Sequence, residues 1–112
     1  LKRVFICPDF AYTNNQAIKI VEKVKEELSK RYKDEIIVAL NGIDYEELMN
    51  GTQKKYFNNP MKFLAHSIDL MANADIVYFC YGWEKHNECK IERSCAARYG
   101  IDIIDEAKDS LR

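Results

Sequence analysis

The sequence lacks the glycine-rich and nucleophile-elbow signatures of the common nucleotide enzymes and hydrolases. It has no G-x-G-x-x-G, no Walker loop and no G-x-S-x-G, and its 112 residues include only 4 glycines. Dinucleotide binding and ATP hydrolysis lose support, because both need backbone that approaches phosphate closely. Charge of one sign is also lacking. Lys and Arg number 17 against 18 Asp and Glu, for a net charge of -1. Such a balance gives no general pull toward nucleic acid or an anionic membrane. Apolar runs such as Ile76 to Tyr81 are far too short to span a bilayer, and no signal peptide is expected. The 4 cysteines, at positions 7, 80, 89 and 95, form no Cys-x-x-Cys pair, and only 2 histidines could join them. The expectation is a reduced, cytoplasmic protein with no metal site and no membrane or nucleic-acid partner.

What is present is a regular alternation of element types over a single domain, residues 1–112. "RVFIC" (Arg3 to Cys7) is a β-branched and aromatic run stopped by Pro8, as expected of a buried strand. Thr13 and Gln16 fit a capping box, after which Ala17, Val21, Val24 and Leu28 recur at helical spacing to about Tyr32. "EIIVAL" (Glu35 to Leu40) is a second strand, ended by Asn41-Gly42. Asp44 to Met49 has the pattern of a short helix, and residues 50–59 are polar and irregular. Asn59-Pro60 opens a helix with an apolar stripe of Met61, Leu64, Ala65, Ile68, Met71 and Ala72. "DIVYFCY" (Asp75 to Tyr81) is a third strand, a helix follows to Gly100, and "IDII" (Ile101 to Ile104) is a fourth. This order predicts an α/β, Rossmann-like (flavodoxin-like) three-layer sandwich with a mostly parallel sheet of about four strands.

In such a sheet, ligands bind beyond the carboxyl ends of the strands, where the strand order reverses. Residues 88–99 set Cys89, Ile91, Cys95, Ala96 and Tyr99 on one broad helical arc, and Glu92 lies in the middle of it. A carboxylate placed there faces a ligand cavity, pairs with a lysine or arginine, or simply complements the helix dipole. The crevice loops add Asp9 and Tyr12 as ligand contacts, or as plain surface residues. Trp83 follows Gly82 at a strand end, where an indole can wall a pocket or fill a subunit contact. His86 is either a loop residue without a role or part of the same rim.

"ADIVYFCYGWEKHNECKIERSCAARYGIDII" (Ala74 to Ile104) resembles the last half of nucleoside 2-deoxyribosyltransferase-like proteins, in particular a short branch from bacteria and phages. The shared pattern is a strand ending in Gly-Trp-Glu, then a helix with an inward Glu, then an Ala pair and a Gly before the final strand. "RVFICPDF" resembles the opening strand and its proline turn. The resemblance implies that Glu92 is a nucleophile that attacks the anomeric carbon of a nucleoside or nucleotide, with no metal or cofactor. It implies a sugar and base site drawn from Pro8, Asp9, Tyr12, Asn41, Ser67, Gly82, Trp83 and His86. It also implies a homodimer or larger assembly, with residues 41–59 near the contact and Tyr45, Tyr56 and Phe57 available to it. The helper positions differ from the family pattern. A common Asp falls at Ser67, a Ser or Asp at His86, and a Gly at Glu88. A catalytically weak nucleotide-binding module, for sensing or sequestering, is the alternative expectation.

Overall fold

The central strand of the sheet is β1, Lys2–Cys7, and its side chains alternate strictly between two faces. Val4 and Ile6 point to one face and Phe5 and Cys7 to the other, all four buried. The structure, a computed structural model, describes residues 1–7, 14–44 and 59–106. Pro8, Asp9, Tyr12, Thr13, Tyr45, Tyr56 and Phe57 lie outside the described residues, as do most of the Asp44–Met49 segment and all of residues 50–58.

After β1 come α1 (Asn14–Tyr32), β2 (Ile36–Leu40), β3 (Ile43–Asp44), α2 (Pro60–Met71), β4 (Ile76–Phe79), a 3-10 turn (Trp83–Lys85), α3 (Asn87–Arg98) and β5 (Asp102–Asp105). The sheet order is β3-β2-β1-β4-β5. β1 pairs in parallel with β2 and β4, and β4 with β5, while β3 is a two-residue antiparallel edge. The α/β, flavodoxin-like three-layer architecture expected from the sequence is therefore present. The order reverses between β1 and β4, which places the topological switch point beside Cys7.

One face of the sheet is closed by α1. Ala17, Val21, Val24 and Leu28, the four positions read from periodicity, pack on Val4, Ile6, Ile36, Val38, Leu40, Ile76 and Tyr78. The opposite face carries Phe5, Cys7, Val77 and Phe79 under Met71, Cys89 and Ala96 of α2 and α3. α2 starts where expected, with the Asn59 side chain accepting a bond from the Lys62 amide at 3.1 Å and Pro60 in the first turn.

Two local expectations need correction. The buried line of α2 is Phe63, Ser67 and Met71, whereas Met61, Ala65 and Ala72 are exposed and Leu64 and Ile68 half-buried. The buried line of α3 is Cys89, Glu92 and Ala96, with Ile91 and Tyr99 exposed. In both helices a polar residue occupies the centre of the inward stripe, so apolarity alone set the phase off by about one residue. Asp44 pairs in β3, and the rest of the Asp44–Met49 segment lies outside the described residues. The reversal is made by Asn41-Gly42, with Leu40 opposite Ile43 and Gly42 at φ +76°.

Gly42 is needed for more than its φ. A Cβ there would overlap the Phe63 ring, which is itself buried on α2. Gly42→Ala should therefore destabilise the domain by about 2–4 kcal/mol through combined backbone strain and overpacking. A urea unfolding curve checks this, and an unchanged midpoint would contradict it.

Candidate functional site

The local folding that delivers each site residue is simple. Cys7 is the last residue of the central strand and points to the α2–α3 face. Asn41 extends β2 by one step, its amide bonded to the Ile6 carbonyl at 3.0 Å. That bond holds its side chain at the carboxyl end of the sheet. Ser67 comes from the middle of α2, and Cys89 and Glu92 from the first two turns of α3. Gly82, buried and at φ 92°, turns the chain between β4 and the 3-10 turn.

These elements converge on Glu92, which has 0% of its surface exposed. Its Oε1 accepts from the Cys7 thiol at 3.3 Å and from the Asn41 side-chain amide at 3.3 Å. Its Oε2 has no hydrogen-bond partner among the described residues, and neither has the fully buried Ser67 hydroxyl. Ser67 nevertheless lies close enough to favour the carboxylate's charge. An orphaned buried polar atom costs about 1–3 kcal/mol, so two in one pocket are not what packing alone would select.

Burial raises the carboxyl pKa from its ordinary value to about 7. The bonds from Cys7 and Asn41 and the nearby Ser67 pull the other way, and the Glu88 charge adds a small upward push. The Cys7 thiol is raised well above its usual value, first by burial and then by Cys89 and the Glu92 charge. It therefore stays protonated and acts as a donor. The result is a carboxyl poised near neutrality, with one oxygen anchored and the other unengaged.

Of the sequence-derived candidates, Glu92, Asn41 and Ser67 come together. Trp83 packs against the core cluster that holds Cys7, Phe79 and Cys89, and lines a cavity of about 190 Å³ with Phe79, Arg93 and Asp105. There the Arg93 guanidinium lies 4.6 Å from the Trp83 ring and 4.9 Å from Phe79, and pairs through both nitrogens with Asp105. Glu92 is not among the residues that line that cavity. His86 is the N-cap of α3, half-buried, with no side-chain capping bond. Cys7 and Cys89 were missed as site residues, because a cysteine on a strand or inward helix face reads as a small hydrophobe. The available signal was Cys7's position just before Pro8, at the carboxyl end of the first strand.

Fold and site together define a flavodoxin-like α/β domain with a buried carboxyl at the point where strand order reverses. No protein-family model, no curated protein and no solved structure matches the chain. Among the described residues, no helix is long and apolar enough to cross a membrane.

Proposed function

We propose that this protein is a nucleoside 2-deoxyribosyltransferase-like N-glycosidase or transferase in which Glu92 is the nucleophile. The observation that carries the reading is the anchored carboxyl at the crevice end of the sheet, with Oε2 unengaged and the pKa raised to about 7 by burial. In the reaction, Oε2 attacks the anomeric carbon of a nucleoside or nucleotide as the C–N bond to the base breaks. The base leaves with the bonding pair, and a sugar ester forms on Glu92. Water or a second base then attacks the same carbon and frees the carboxylate. Cys7 and Asn41 fix the opposite oxygen, so that one lone pair is aimed while the other is held. The test is base release from 2′-deoxynucleosides and their 5′-phosphates, followed by chromatography, for wild type and Glu92→Gln. Release in wild type that falls at least about 10³-fold in the variant supports the reading. Equal release from both contradicts it.

A second reading, a catalytically weak nucleotide-binding module for sensing or sequestering, is favoured by the complete burial of Glu92. Its result would be a nucleotide-dependent rise in Tm with no base release.

We also propose that the protein works as a homodimer or larger cytoplasmic assembly, since Met61, Ile91 and Tyr99 present apolar surface on α2 and α3. Light scattering at micromolar concentration should give at least twice the chain mass. A strictly monomeric mass would overturn this.

A further inference from the structure

We propose that Cys7, Cys89 and Glu92 form a binding site for a thiophilic divalent cation, with zinc the ion that best suits two thiolates and one carboxylate. The ligand atoms of the three residues lie within 4.8 Å of one another, and all three side chains are fully buried. Ligands of one tetrahedral zinc stand about 3.4–3.8 Å apart, so the cluster needs only a small contraction to hold an ion. The Cys7 sulfur and Glu92 Oε1 are already at 3.3 Å.

The second, independent observation is the pair of orphaned atoms. Glu92 Oε2 and Ser67 Oγ are buried without a hydrogen-bond partner among the described residues, and both sit at this cluster. A cation between the sulfurs and the carboxylate would engage Oε2. It would leave a fourth position open to the Ser67 hydroxyl or a water. Cys89 is the third residue of α3, which carries both it and Glu92 to the end of β1. Binding is a simple exchange with no change of oxidation state. Two S–H bonds break, two metal–sulfur bonds and one metal–oxygen bond form, and the two thiol protons, with the carboxyl proton where Glu92 carries one, go to solvent.

The ion would use the lone pair that the proposed glycosyl reaction gives to the sugar, so zinc-loaded protein would be held out of that reaction. The zinc site itself stands on the cluster geometry and the orphaned atoms, and not on the glycosyl reaction. Its test reads metal content and not turnover, so either proposal can fail without deciding the other.

The full chain is produced with added zinc, purified in reducing buffer and freed of loose metal with a chelator. It is then denatured in the presence of a chromogenic zinc indicator. About one zinc per chain, released only on denaturation, is expected for wild type and for Cys95→Ala, whose thiol lies outside the cluster. At least about tenfold less is expected for Cys7→Ala, Cys89→Ala and Glu92→Gln. Circular dichroism establishes that each variant is folded. Should a cysteine variant fail to fold, Glu92→Gln and the cobalt-loaded wild type decide, through loss of zinc in the first and a sulfur-to-cobalt charge-transfer band in the second. Wild type without zinc, zinc content unchanged in the folded variants, or cobalt without the sulfur band would each overturn the site.

Discussion

Glu92→Gln is expected to abolish base release and, at pH 8, to make metal-free protein more stable by about 2–3 kcal/mol. The second effect separates a poised functional carboxyl from a structural ion pair. In the folded protein the carboxyl titrates at about 7, against an ordinary value of 4.5. Between those values the native state holds a proton that the unfolded chain has lost, so stability falls as pH rises through this window and levels off above about 7. The total loss is about 3 kcal/mol. A glutamine keeps an oxygen for Cys7 and Asn41 and can donate its amide to Ser67, with no charge to desolvate. The variant should therefore lack that pH slope and gain roughly 5–12 °C in Tm at pH 8. If Glu92 were half of a structural ion pair, the same change would lower Tm. In wild type, base release should rise with pH through about 7, because only the ionised carboxylate can attack.

Ser67→Asp carries the other large effect. Ser67 is fully buried against Glu92, so the variant places two carboxyls in one dry pocket. Both cannot ionise there at neutral pH, and the pair should titrate in two separated steps. Stability at pH 7 should drop by about 3–5 kcal/mol, the usual cost of an uncompensated buried charge. The shared proton is also a general acid within reach of a leaving base, an assistance typically worth about 10²–10⁴-fold. Single-turnover base release from ordinary deoxynucleosides should rise in Ser67→Asp and vanish in Ser67→Asp combined with Glu92→Gln. Brisk wild-type turnover that Ser67→Asp leaves unchanged would show that no helper is missing.

Much of the fold was legible because its signals are local. The β1 run and the Ala17, Val21, Val24 and Leu28 repeat need only period 2 and period 3.6 to be seen. Asn59-Pro60 announced α2 in the same way. The inward position of Glu92 was also legible, since the 3.6-residue helical period over residues 88–99 places it whatever it packs against. What the sequence hid depends on distant partners. Cys7 and Glu92 are 85 residues apart, and only the parallel register of β1 and β4 brings them together. Ser67 looked like the edge of an apolar stripe because Met61 and Ala65 counted toward it. The structure turns α2 so that Ser67 is central and Met61 is exposed. Asn41-Gly42 was read as a stop, although an Asn-Gly pair is also a hairpin signal, and here it makes the β2–β3 reversal.

The most direct test of the central proposal is intact-protein mass spectrometry of an acid-quenched reaction. Metal-free wild type is mixed with a 2′-deoxynucleoside and quenched during the first turnover. Expected is a population heavier by one deoxyribosyl group, lost on mild base treatment as an ester would be. Peptide mapping should place the group on Glu92, and Glu92→Gln should show no adduct. Base released without any adduct on Glu92, at a rate that Glu92→Gln leaves unchanged, would contradict a glycosyl-enzyme mechanism at this carboxyl.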